Sequence, residues 1–91
     1  STLQINESVT YICMEHTIYM ISVNKHTHEG FENRAKRIKA EKVSENLSRF
    51  NSNPIEAWRN SEGHRINMED NFNYCGIAEK DGYVTLILFK R

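Results

Sequence analysis

The sequence predicts one α+β domain, with helices packed on both sides of a small sheet. Three observations predict it. Apolar residues recur at three- and four-residue intervals from Val9 to Val23, Asn53-Pro54-Ile55-Glu56 has the form of a helix start, and Asp81-Gly82 separates two strand-like runs. With 91 residues, Ser1 to Arg91 form a single domain near the lower size limit for a self-sufficient core.

Leu3 and Ile5 precede Asn6, a good N-cap, after which Val9, Ile12, Cys13, His16, Met20 and Val23 form the stripe of an amphipathic helix. His16 falls on that stripe and reads as a core histidine bonded to a neighbour. The polar stretch Asn24-Lys25-His26-Thr27-His28-Glu29-Gly30 ends the helix, with Gly30 expected to close it. His26 and His28 form an H-x-H, which on an extended segment can turn two imidazoles to one side and is compatible with metal binding; two solvated loop histidines explain it as well. Phe31, Ala35 and Ile38 mark a second, shorter helix. The basic run from Arg34 to Lys39, with Glu29, Glu32 and Glu41 around it, reads as an ordinary solvated face.

From Val43 to Phe50 residues alternate in the manner of a short strand. Asn53 is then an N-cap, Pro54 sits at the first helical position, and Glu56 is placed to reach back in a capping box, with Ile55 and Trp58 on one side. Gly63 suits a left-handed turn that ends this helix and delivers His64 just past its C-terminus. Tyr74 to Glu79 and Tyr83 to Lys90 flank the Asp81-Gly82 turn as a hairpin, and Val84 to Phe89 is apolar on both faces, as a covered central strand requires. Gly76 within the first of these strands indicates a close backbone approach or a bulge.

Lys plus Arg and Asp plus Glu both number 12, so no global field is available to gather nucleic acid or anionic membrane. Nucleic-acid binding is not expected. No apolar run approaches the roughly 20 residues of a transmembrane helix, and no charged-then-apolar leader opens the chain. The two cysteines, Cys13 and Cys75, lie on the first helix and a late strand; they read either as small buried hydrophobes or as one disulfide across the core.

These residues, in this order, resemble the CAP superfamily (cysteine-rich secretory proteins, antigen 5 and pathogenesis-related 1 proteins), in particular its short, cysteine-poor bacterial SCP-like branch. The resemblance covers nearly the whole chain and rests on Leu3-x-Ile5-Asn6 with Val9, Cys13, His16 and Met20; on His28-Glu29-Gly30-Phe31 with Arg34; and on Ser44-Glu45-Asn46. It continues through Trp58-x-x-Ser61-x-Gly63-His64-Arg65-x-Asn67, Gly76-Ile77 and Tyr83-x-Thr85. It implies an α-β-α sandwich with a small central antiparallel sheet, here lacking the family's first helix before Leu3. It also implies a cleft in which the first histidine is His28, the first acid Glu45 and the second histidine His64. The family's second acid falls on Ser61, with Glu62 one residue late.

Two imidazoles and a carboxylate from separate segments can bind a divalent ion such as Zn²⁺, can transfer protons, or can hold a cleft rigid while its surroundings bind a partner. No activated nucleophile is visible around Ser44, Ser48, Ser61 or either cysteine. The resemblance favours a secreted or cell-envelope binding module whose ligand is a lipid, a sterol or a protein. A metal-assisted, peptidase-like hydrolase using His28, Glu45 and His64 is the alternative. Trp58 reads as core rather than as a ligand-stacking residue.

Overall fold

The computed structural model describes residues 3–61 and 71–91. In chain order the elements are β1 (Gln4–Ile5), α1 (Glu7–Val23), α2 (Phe31–Ile38), β2 (Lys42–Arg49), α3 (Pro54–Arg59), β3 (Tyr74–Lys80) and β4 (Tyr83–Lys90). The sheet order is β1-β3-β4-β2. The three longer strands are antiparallel, and β1 joins β3 in parallel over two residues, so the sheet is mixed rather than purely antiparallel.

Local chemistry accounts for most element boundaries. Asn6 Oδ1 accepts the Val9 amide at 3.0 Å and starts α1. Asn24, not Gly30, ends it: Asn24 takes the left-handed conformation (φ 52°) that its short side chain tolerates. Gly30, at φ 83°, instead supplies the turn into α2. At α3 the expected capping box has a different partner. Asn53 Oδ1 accepts the Glu56 amide at 3.2 Å, but the Glu56 carboxylate accepts the Asn53 side-chain amide (3.0 Å), because the Asn53 backbone N–H already donates to Asn51 Oδ1 (2.8 Å). α3 closes at Arg59, ahead of Gly63, which lies outside the described residues. Asp81 and Gly82 both have positive φ (50° and 85°), as the two-residue hairpin turn between Lys80 and Tyr83 demands.

Pairing in register sorts side chains onto two faces. Phe89, Ile87 and Thr85 of β4 share a face with Gly76 and Ala78 of β3 and with Val43, Glu45 and Leu47 of β2. On this face α1 and α2 pack through Val9, Ile12, Cys13 and Ile38 against Ala78, Ile87 and Phe89. A Cβ at Gly76 would come within 2.7 Å of the α1 backbone at Val9 and Thr10, so the glycine marks a close approach and not a bulge. The opposite face buries Trp58, Phe72, Cys75, Val84, Leu86 and Leu88 beneath α3. β4 is thus covered on both sides, as its uninterrupted apolar sequence requires.

Cys13 and Cys75 are both free thiols, one in each of these clusters. The disulfide alternative is therefore not realised: the sheet itself stands between them. Burial pushes the Cys13 thiol up to about 12 and raises that of Cys75, so both behave as small hydrophobes.

Candidate functional site

The site is assembled where the connection after α1 crosses the start of β2. Glu45 is one of the β2 residues directed at the α1/α2 face, and its side chain is 1% exposed. A carboxylate so placed needs compensation, and Arg34 supplies it. Arg34 Nε donates to Glu45 Oε2 at 2.8 Å and Nη2 donates to Oε1 at 2.7 Å, a two-pronged pairing that matches the planar geometry of both groups. Arg34 is itself buried, contrary to its expected place on a solvated face. The reason is its phase: Phe31, Arg34 and Ile38 share one side of α2, and the outward residues are Glu32, Asn33, Lys36 and Arg37. That spacing was the available sequence signal, and the surrounding run of basic residues obscured it.

His28 completes the group. Its Nδ1 lies 2.9 Å from Glu45 Oε1, and because an ionised carboxylate only accepts, Nδ1 carries the proton and donates it. The ring is half exposed, and its other nitrogen, Nε2, is not engaged with Glu45. A groove of about 320 Å³ opens here, lined by His28, Phe31, Val43, Ser44 and Glu45. A second groove of about 280 Å³ lies between α1 and α2, where His16, Tyr19, Glu29 and Arg34 line it.

His16 is buried, as its place on the α1 stripe indicates, and its Nε2–H donates to the Thr27 carbonyl at 2.7 Å. Burial, aided by the nearby Arg34 guanidinium, holds its imidazole below the ordinary value of 6.5, so the neutral ring is favoured. Trp58 is core: its indole N–H donates to the Leu47 carbonyl at 2.8 Å.

Of the three expected site residues, His28 and Glu45 therefore meet, and His64 lies outside the described residues, as do Glu62, Arg65 and Asn67. His26 is exposed. Among the described residues no three His, Cys, Asp or Glu side chains group closely enough to hold a metal ion. Glu45, whose oxygens already accept from Arg34 and His28, fits the role of orienting a histidine rather than of direct ligation. His28 Nε2 is the described atom that fits direct coordination.

No protein-family model and no curated protein matches the chain. Solved structures do. An extracellular protein containing an SCP domain from Bacillus anthracis superposes with a TM-score of 0.89 at 22% identity, over 100% of this chain and 34% of that one. A cysteine-rich secretory protein from Staphylococcus aureus gives 0.84 at 20% identity, over 100% of this chain and 32% of that one. The fold is CAP-like. The chain spans about a third of the length of these structures. It is an α+β fold of the kind the sequence predicted, and no helix among its described residues is long and apolar enough to cross a membrane.

Proposed function

We propose that this CAP-like chain is a binding module that works outside the cell or in its envelope, with a cleft centred on His28. The two superposable proteins are described as extracellular and as secretory, which supports the location. The observation that carries the cleft is the arrangement Arg34–Glu45–His28: a buried, doubly paired carboxylate holds a proton of His28 on Nδ1, so that a neutral ring has Nε2 as its acceptor, at a residue that lines the groove. This is how a histidine is prepared to accept from a ligand or to coordinate a divalent ion such as Zn²⁺. His28 and His64 would hold the ion directly, with Glu45 orienting His28. The groove walls contributed by Phe31 and Val43 suit the apolar part of a lipid, a sterol or a protein side chain.

The peptidase-like alternative asks Glu45 to take a proton from water. Glu45 is almost wholly buried and three N–H donors already bind its oxygens, which counts against that task. Binding is accordingly the function the geometry favours.

Thermal denaturation with added zinc tests the metal part. At a hundredfold excess over the dissociation constant, a ligand that binds only the folded state stabilises by about 2.7 kcal/mol. We expect an upward shift for the wild type that is lost in His28→Ala and in His64→Ala. A wild-type melting temperature indifferent to zinc removes the ion from the proposal. Sedimentation with sterol-containing vesicles separates a lipid ligand from a protein ligand, since only the former carries the chain into the pellet.

A further inference from the structure

Between Val23 and Phe31 the chain has no regular structure, yet it carries the candidate residue His28. Three successive carbonyls in this connection are taken by side chains from the two helices beside it. The Thr27 carbonyl accepts from His16 Nε2 on α1 at 2.7 Å, the His28 carbonyl from Arg34 Nη2 on α2 at 3.1 Å, and the Glu29 carbonyl from Arg34 Nη1 at 2.7 Å. Two of these bonds come from the arginine that also clamps Glu45. The third comes from His16, which bonds neither Glu45 nor the His28 ring, and it acts on the residue immediately before His28.

We propose that His16 is a positioning residue for His28: by donating Nε2–H to the Thr27 carbonyl it fixes the backbone before His28 at the place from which the His28 ring reaches Glu45. Arg34 holds the segment at the carbonyls of His28 and Glu29, and the carbonyl of the residue before His28 is left to His16. Together they hold all three carbonyls. Further bonds tie the same segment: Phe31 N–H donates to the His28 carbonyl at 3.0 Å, Glu29 N–H to Thr27 Oγ1 at 3.1 Å, and Tyr19 OH to Glu29 Oε2 at 2.6 Å. A buried histidine satisfied by a carbonyl is common in cores. What distinguishes this one is the carbonyl chosen, because its loss is transmitted to the tautomer of a ring that His16 does not touch.

The assignment deepens the proposed cleft, resting on that reading for its purpose but not for its test. Long-range ¹H–¹⁵N correlation spectra of the metal-free protein at about pH 8, where ordinary histidines are neutral, report which nitrogen of each imidazole bears the proton. In the wild type His16 is expected to carry its proton on Nε2 and His28 on Nδ1. His16→Gln places an amide N–H near the position of Nε2 and keeps the His28 tautomer; His16→Asn places it near Nδ1, short of Thr27, and lowers the Nδ1–H to Nε2–H ratio of His28 several-fold. A folded Asn variant with an unchanged His28 tautomer overturns the proposal. So does a wild-type His16 protonated only on Nδ1, a result available even where a variant fails to fold. Zinc binding is scored separately, so loss of the ion from the cleft leaves this outcome legible.

Discussion

The two faces of the sheet solve the same packing problem with different chemistry. Beneath α1 and α2 lie the Glu45–Arg34 pair, His16, and the Thr17 hydroxyl bonded to that of Thr85 at 2.9 Å, all within an apolar surround. Beneath α3 lie Trp58, Phe72, Cys75, Val84, Leu86 and Leu88, with the buried Asn46 and Ser48 of β2 beside them and no buried charge among the described residues. The first face holds the candidate site and depends on its buried ion pair and on the hydrogen bonds around it. The second buries neutral polar groups but no ion pair and rests more on apolar burial, which is non-directional. Function and vulnerability are therefore expected on the same side.

The largest test of that contrast is Glu45→Gln. The amide can still accept one Arg34 N–H, but its NH₂ faces a second donor, and the guanidinium loses its countercharge in a buried setting. Breaking one partner of a buried ion pair costs about 3–5 kcal/mol, a large share of the roughly 5–10 kcal/mol available to such a domain. Denaturant unfolding should show this loss. Replacing both partners, Arg34→Met with Glu45→Met, should recover much of the stability while leaving His28 without its acceptor. A double variant as unstable as Glu45→Gln would mean that the pair is needed for the fold itself, and the two faces would differ less in kind than supposed.

On the other face Trp58→Phe is the milder counterpart. It deletes the indole N–H bonded to the Leu47 carbonyl and part of the buried ring, for about 1–3 kcal/mol. The contrast predicts that this loss leaves the His28 tautomer and any zinc response unchanged. A change in either would show that the α3 face also shapes the site.

How much of this was readable beforehand follows from the same division. Features set by local pattern were legible: the α1 stripe, the Asn53-Pro54 start and the Asp81-Gly82 hairpin each encode their structure within a few residues. Features set by register were not, although some clues were present. If Gly76 is where a helix approaches, then Cys75, its neighbour on the strand, must point to the other face, which excludes a bridge to Cys13 on that helix. Arg34 shared the phase of Phe31 and Ile38, yet composition suggested a solvated residue. The two-residue β1 has no pattern to read. Glu45 and His28 came from the family resemblance, and their bond emerged only when β2 was paired and its Glu45 side assigned.

The smallest effect concerns pH, and it sets a sloping response on one face against a level one on the other. Burial and Arg34 lower the His16 pKa in the folded state below its ordinary 6.5, while the bond to Thr27 opposes the shift. As pH falls through 6.5 the unfolded chain therefore binds its proton first, and stability drops; the contribution is fully present above 6.5 and is lost as pH falls toward the lower folded-state value. Glutamine does not titrate, so the stability difference between wild type and His16→Gln should narrow between about pH 8 and pH 5. The corresponding difference for Trp58→Phe should stay level, because the titratable group described within the Trp58 cluster is Cys75, whose thiol burial raises above its ordinary 9.0 and out of this range. A level His16→Gln difference would place the His16 charge equilibrium outside the folding balance; a sloping Trp58→Phe difference would couple the apolar face to the titrating one.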